Sequence, residues 1–523
     1  MYLNKNFSTF IERFSFWKKH FSTLLVLFGL LLSFYSFYFF MSNKIYLIGS
    51  DAFYYMSIAD SIMKYGEMRD ITAIPSFPLK SPQNGIVFVH VILSFIGLTE
   101  KSRILTIVVI NYLLYLSGVY PLYKISQWSG LRKGLPLIAL IAVYLGAWHI
   151  YRINLLAIND GVFNSMTLWL VYLIIRFTRE INVFESFSLP RPVVVKIMFI
   201  SLIVVVLAQF RLNATLVIGS ALISAILVRD YKASLFLIST CLFLLISFFV
   251  IYNFVEIVRL ENVGEKYFFP MFRAMNIGTI KLQLWKILPR LVAGLSGLTN
   301  PLATLIFAMF PISMIYYGIR GLIDRNFAKV FIAAICLTGL WFTMSFQNAR
   351  VIWYIFPLIY LILFSLKSIR FAGYAFVILV FLQSIQQFYI GFSRNSESKL
   401  WLHIYDQSIS LPDNSLLSSH NRRHPYFFLG TRNYLGDGNW RQVLDEIQAP
   451  GKFMPKLTWD LLNEHGSVFV IGDSSYIDST FTQVSEISSS YGYNIETKPL
   501  TPNLDKFKGW GLVEFQIKED DSL

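Results

Sequence analysis

The residues of this chain best suited to chemistry are carboxylates and cations standing at the edges of long apolar runs. Asp51 lies in Gly49-Ser-Asp-Ala-Phe-Tyr-Tyr-Met-Ser-Ile-Ala-Asp-Ser-Ile-Met-Lys-Tyr-Gly66. It opens a short amphipathic helix in which Tyr54, Ile58, Ile62 and Tyr65 recur near helical spacing. A carboxylate held at a membrane surface can take a proton from an acceptor hydroxyl or amine. Asp51 or Ser50 would equally serve as the cap of that helix, and spacing alone leaves both readings open. Tyr54 and Tyr55 are either interfacial anchors or a stacking surface for a ligand. Asp60 reads as a solvated side chain. Asp160, in Asn159-Asp160-Gly161 before another apolar run, is a second carboxylate with the same two readings, function or helix capping.

Cations are the complementary feature. Arg350 and Arg211 stand at expected extracytoplasmic helix ends, and Lys80 and Arg152 are further candidates. Arginine there grips phosphate in a bidentate way, or the side chain snorkels to the interface. Three other patterns are weaker. Gly472-Asp473-Ser474 after a strand resembles a hydrolase nucleophile block, but no histidine follows His465. His420 and His424 have a helical metal-ligand spacing, which Pro425 and polar neighbours assign to a loop. His149 suits a buried or interfacial position better than a ligand role. Cys241 and Cys336, the two cysteines, both lie inside apolar runs and form no disulfide framework.

The elements that must position these residues are membrane helices. Of the 523 residues 55% are hydrophobic and 15% charged, against roughly 25% charged in soluble domains. The formal charge of +14 suggests nucleic acid in a soluble protein. Here the basic residues fall between apolar runs, as the positive-inside bias requires. The N-terminus is basic (Lys5, Arg13, Lys18, Lys19) and then apolar over 21–41, too long for a signal-peptide core. It reads as a retained first helix with a cytoplasmic N-terminus. The polar stretch 42–84 is then extracytoplasmic.

The apolar piece 85–98 is only about half a span long and decides the parity of all later helices. Reading it as re-entrant or interfacial puts Lys124, Arg132 and Lys133 inside, as the positive-inside rule favours. Further helices are expected near 102–122, 135–150, 161–176, 193–210, 212–228, 233–254, 299–319, 328–346, 350–366 and 371–390. With the first, that makes about eleven spans of bilayer length. The loop 255–298 falls outside, with an amphipathic segment around Leu282–Arg290. From Gly391 the composition turns polar: 391–523 reads as a small extracytoplasmic α/β domain after a membrane module of 1–390. Ser467–Ile471 is expected to be a buried strand, 475–490 a helix and Leu512–Ile517 a strand.

Order and placement together carry a resemblance. Asp51 just after the first helix, Tyr54-Tyr55, Ala59, Ile62 and Gly66 are followed by Pro82, Gly85, the helix 86–96, Gly97, Glu100 and Arg103. Asn159-Asp160 precedes a later span, and Arg350, Tyr354 and Pro357 form an Arg-x-x-x-Tyr-x-x-Pro element. This series resembles the GT-C-fold glycosyltransferases, which use polyprenyl-phosphate sugars and include protein O-mannosyltransferases and the lipid A aminoarabinose transferase. Ser81-Pro82 stands where that family often has two prolines. The resemblance covers roughly 20–180 and 340–370.

The resemblance implies a bacterial inner-membrane enzyme with a GT-C-like helical fold. It would take a sugar from a polyprenyl-phosphate carrier at the extracytoplasmic face and pass it to a lipid, glycan or protein acceptor. Asp51 would be the general base and Asp160 a second catalytic carboxylate. Tyr54, Tyr55, Lys80, Arg152, Arg211, Arg350 and Tyr354 would bind substrate. A divalent metal is open, since the family contains metal-using and metal-free members; Asp51 and Asp160 would share an ion only if the fold joins them. No nucleic-acid partner is expected. Two other classes compete: a polysaccharide polymerase or ligase, whose large loop usually lies between late helices, and a transporter or flippase, which commonly shows repeated halves and midplane charges. This chain has its acidic loop early, no internal repeat, and charges at helix ends.

Overall fold

The computed structural model describes residues 23–47, 50–71, 77–78, 84–131, 134–147, 157–181, 191–255, 301–346, 354–367, single positions between 370 and 385, 396–409, 411, 415–419, 427–429, 434–437, 455–501, 507 and 509–519. The chain divides into two compact units. The first comprises 1–42, 81–86 and 105–390; the second joins 43–80 and 87–104 to 391–523. By sequence, those two earlier segments fall in the membrane module.

The first unit is helical. Its described helices are α1 (Thr23–Ser42), the start of α3 (Gly85–Phe95), most of α4 (Glu100–Ser117), α5 (Val119–Trp128), α6 (Leu135–Gly146), α7 (Asn159–Ile181), α8 (Arg191–Phe210), α9 (Ala214–Val228), α10 (Tyr231–Phe254), α11 (Pro301–Ile323), α12 (Phe327–Phe346) and α13 (Phe356–Ser365). α2 (Ser50–Tyr65) belongs to the second unit. Among the described residues five helices are long and apolar enough to cross a membrane: α1, the stretch Glu100–Trp128, α7, α8 and α10. α6, α9 and α13, expected as spans, have 12, 15 and 10 residues and fall short of that length. α3 has 11 residues, about 16 Å of rise. That is roughly half the hydrocarbon thickness, so α3 too falls short of a crossing length.

α8 and α10 are apolar nearly all round. Val195, Leu202, Leu245, Ile246 and Phe249 are each at least 60% exposed. Such a face suits lipid, which asks for no polar cover. Polar side chains instead join helices inside the unit. Tyr115 Oη donates to the Tyr144 carbonyl at 2.6 Å and Tyr144 Oη returns to the Tyr115 carbonyl at 2.7 Å. Trp169 Nε1 donates to Ser117 Oγ at 2.9 Å, and Ser220 and Thr338 hydroxyls pair at 3.0 Å.

The second unit is mixed. α2 leads into the two-residue strands β1 (Arg69–Asp70) and β2 (Phe77–Pro78), paired antiparallel. The tail contributes α14 (Ser396–Asp406), β3 (Leu416–Ser419), β4 (Tyr434–Asp437), α15 (Pro455–His465), β5 (Ser467–Gly472), α16 (Ser474–Ser490), β6 (Tyr493–Pro499) and β7 (Gly511–Glu519). The five strands run in the order β4-β3-β5-β7-β6. β3 is parallel to β4 and β5, and β7 is antiparallel to β5 and β6. β5, α16 and β7 lie where the sequence places them. The run Val468–Ile471 is buried on both faces, and its Val468 and Val470 pack with Leu416, Leu462, Tyr476, Val484 and Phe515. An unbroken apolar run instead of an alternating one is the signature of such a central strand.

Candidate functional site

In the first unit the expected residues Asp160 and Arg211 meet. Asp160 sits in the first turn of α7 and is 2% exposed. Arg211 directly follows α8, and its Nε donates to Asp160 Oδ1 at 2.7 Å while Nη2 donates to Oδ2 at 2.6 Å. This fork-on-carboxylate geometry is the strong form of the ion pair. The α7 N-terminus adds favourable dipole for the carboxylate. Asp160 therefore does more than cap a helix: it anchors the end of α8 to the start of α7.

The surroundings reinforce that join. Asn159 Oδ1 accepts from the Ile86 backbone N–H at 3.0 Å, satisfying a donor in the first turn of α3 that the helix itself cannot. Gly85 is tightly approached: a Cβ there would lie 2.6 Å from Phe210 Cγ. Gln209 Nε2 donates to Tyr252 Oη at 3.3 Å, linking α8 to the far end of α10. Tyr354 packs edge-on to Phe163, with ring centroids 5.3 Å apart, one turn beyond Asp160 on α7. Its buried hydroxyl has no partner among the described residues. A buried hydroxyl without a partner is costly, so Tyr354 Oη, like the unpartnered Gln209 Oε1, is a described group at this end ready to take up a hydrogen bond.

In the second unit Asp51 lies in the first turn of α2, half-buried, with Tyr54 and Tyr55 also half-buried and their rings 5.9 Å apart. Of the stripe expected at Tyr54, Ile58, Ile62 and Tyr65, Ile58 is buried, but Tyr54 and Ile62 are only half-buried and the buried face centres elsewhere. Ala52, Phe53, Met56, Ser57, Ala59 and Ser61 are the residues at 2% exposure or less, while Tyr65 is 49% exposed. Phe53 decides this, stacking on Phe427 at 4.3 Å and meeting Phe428 edge-on at 5.5 Å. Those partners come from the tail, so the spacing within α2 did not show them.

Asp60, expected to be solvated, is a correction. It pairs with Arg103 Nη2 at 2.8 Å, and Arg103 is 3% exposed. Nine residues at about 100° each place Asp60 on the opposite side of the helix from Asp51. The ion pair therefore holds the back of α2 while Asp51 faces the other way. His90 on α3 is fully buried near this pair, and neither of its ring nitrogens has a partner among the described residues. Burial, aided by the Arg103 charge, pushes the His90 pKa down to about 3. Asp60, Arg103 and His90 stand far apart in the chain, and no periodic pattern links them.

The depressed His90 value has a consequence for stability. The folded chain keeps His90 neutral, whereas the unfolded chain protonates it below about 6.5. Unfolding then takes up a proton, so stability is lost as pH falls below 6.5, by up to about 1.4 kcal/mol per pH unit for this group. Between pH 6.5 and 5, before carboxylates titrate, the thermal midpoint of the purified chain should fall with pH. His90→Leu should flatten that slope; an unchanged slope would contradict the buried neutral histidine.

Lys80, Arg152 and Arg350 lie outside the described residues, as do His149, His420, His424 and the amphipathic segment of 255–298. Asp51 and Asp160 belong to different units. Among the described residues no three or more His, Cys, Asp or Glu side chains gather in a metal-binding group. Both Asp160 oxygens face the Arg211 guanidinium, whose charge opposes a cation there, so Asp160 in this arrangement does not fit a metal ligand. The Gly472-Asp473-Ser474 pattern is structural: Asp473 caps α16 by accepting from the Tyr476 N–H at 2.8 Å, and Ser474 Oγ donates to the Gly509 carbonyl at 3.0 Å.

No family model and no curated protein sequence matches the chain. Among solved structures it is similar to the archaeal oligosaccharyltransferase AglB from Archaeoglobus fulgidus in complex with an inhibitory peptide and a dolichol-phosphate. The identity is 11% and the TM-score 0.49, over 97% of this chain and 75% of that one. It is also similar to the Archaeoglobus fulgidus oligosaccharyltransferase tethered with an acceptor peptide, at 11% identity and a TM-score of 0.46 over 95% and 74% of the two chains. A third structure, of the same oligosaccharyltransferase with Zn and sulfate, matches at 11% identity and 0.49 over 93% and 72%. At such identity the chemistry must be argued from this chain's own residues.

Proposed function

We propose that this chain is an integral membrane glycosyltransferase of the GT-C type, moving a sugar from a polyprenyl-phosphate carrier to a lipid, glycan or protein acceptor. The observation that carries the reading is the presentation of Asp51. It opens a short helix that begins soon after the first span, stands half-buried beside Tyr54 and Tyr55, and has its helix pinned from behind by the ion pair of Asp60 with buried Arg103. A general base needs that kind of fixed, partly open placement.

In the proposed step the acceptor oxygen or nitrogen attacks the anomeric carbon. The bond from that carbon to the phosphate oxygen breaks, and its electron pair leaves with polyprenyl phosphate. Asp51 takes the acceptor's proton, and the anomeric centre inverts. Arg211 and Arg350 are the cations assigned to the phosphate, Arg211 while braced by Asp160. The reaction is assigned to the extracytoplasmic face of a bacterial inner membrane, with the N-terminus cytoplasmic and the tail domain outside.

The test is donor turnover by the purified chain in liposomes supplied with labelled polyprenyl-phosphate sugars and a membrane-lipid, glycan and peptide acceptor mixture. Release of polyprenyl phosphate matched by label on an acceptor is expected. Intact donor with hexosyl, pentosyl and aminopentosyl carriers alike would contradict the proposal.

A further inference from the structure

The first unit carries a second polar group at the other end of α7. Arg179 lies 19 residues beyond Asp160 on the same helix, which is about 28 Å of rise and close to the hydrocarbon thickness of a bilayer. The two groups therefore mark opposite membrane faces. At the Arg179 end a cavity of about 360 Å³ opens between α5 and α7, walled by Tyr120, Lys124, Trp128, Tyr172, Arg176 and Arg179. No step of the proposed transfer uses it.

The charges in this cavity are not balanced. Glu180, the acid at its edge, is already shared: Arg176 Nε holds one oxygen at 2.7 Å and Lys196 Nζ the other at 2.5 Å. Arg179 instead lies over the Trp128 ring at 5.4 Å, and Lys124 is 5.7 Å from the Tyr120 ring and 5.8 Å from the Tyr123 ring. Among the described residues neither Lys124 nor Arg179 has a carboxylate partner. Two cations held over aromatic faces at one concave surface favour an anion between them. The walls are ordered for it: Trp128 and Tyr172 stack at 5.3 Å with 6° between their planes. Tryptophan and tyrosine at this depth mark the headgroup level.

We propose that this cavity binds the phosphate-bearing headgroup of an anionic phospholipid in the leaflet opposite the Asp160–Arg211 face. Its volume lies within the range of built ligand pockets and accommodates a headgroup, leaving the acyl chains in the bilayer along α5 and α7. Basic pockets between membrane helices recognise such headgroups. The proposal is independent of the glycosyl-transfer reading. Positive-inside bias makes the leaflet the cytoplasmic one.

The experiment is native mass spectrometry of the detergent-purified full chain titrated with phosphatidylglycerol, phosphatidylcholine or inorganic phosphate. Wild type should retain one phosphatidylglycerol in preference to phosphatidylcholine. The double variant Lys124→Gln, Arg179→Gln should weaken that retention by at least about tenfold, and Lys124→Gln alone, at a half-buried position, should weaken it partly without disturbing folding. Arg229→Gln, in the turn between α9 and α10, should leave it unchanged. Equal retention by wild type and both variants, or equal binding of phosphatidylcholine, would overturn the site. Displacement of the lipid by millimolar inorganic phosphate would overturn the lipid as its ligand and assign a soluble phosphate compound instead.

Discussion

Replacing Asp51 by Asn should leave the chain inserted and monodisperse while lowering sugar transfer by about 10²–10⁴-fold, the usual worth of a positioned general base. Asparagine keeps the size and hydrogen-bonding reach of the side chain but cannot take a proton at neutral pH. The core of α2 rests on Phe53, Met56 and Ala59, and its back on Asp60–Arg103, so a change at half-buried Asp51 leaves those supports intact. The loss should appear in the rate at saturating donor more than in donor affinity. Transfer rates and donor binding measured on the same preparation separate the two. Near-normal transfer by Asp51→Asn would remove the assigned role.

The second large effect concerns the Asp160–Arg211 pair. Asp160→Leu leaves a guanidinium facing a site whose carboxylate was only 3% exposed. Removing one partner of a buried pair costs about 3–5 kcal/mol. The low end of that range applies because the Arg211 side chain is 22% exposed and keeps some water. Arg211→Met alone should be comparably damaging, because it strands a buried carboxylate. Combining Asp160→Leu with Arg211→Met should recover much of the lost stability, since well-packed apolar replacements for a buried pair are often neutral. Thermal midpoints of the four proteins in detergent make the comparison. If the combined variant is as stable as wild type yet fails to transfer, the pair serves the reaction; if it transfers normally, the pair is a structural brace only. Simple addition of the two single losses would contradict the pairing itself.

Much of the helical unit was legible because lipid imposes a simple rule: apolar runs of sufficient length and cations at their ends. That rule located α7, α8 and α10 and marked α3 as too short to cross. It set Asp160 and Arg211 at helix ends but did not pair them, since each reads as a separate interfacial charge until α7 and α8 pack antiparallel. In the tail, β5 was plain from its continuous apolar run. The face of α2 was misjudged because aromatic partners far along the chain, Phe427 and Phe428, decide which side is buried. Asp60 was misread for a related reason. A carboxylate on a short loop helix is solvated by default, and Arg103 reaches it only through the fold. His90 left no trace in the sequence, standing as one polar residue in the apolar run of α3.

The most direct measurement is donor turnover resolved by membrane side. The chain is reconstituted into liposomes with labelled polyprenyl-phosphate sugar in both leaflets, and a membrane-impermeant acceptor is added outside only. Molecules are sorted by whether a protease added outside removes a tag fused at Leu523. Asp51 and the tail belong to the same unit, so turnover should come from the population whose Leu523 tag is exposed, and Asp51→Asn should abolish it there. Turnover confined to the population with the tag protected, or of equal rate in both, would contradict a reaction centred on Asp51 at the outer face.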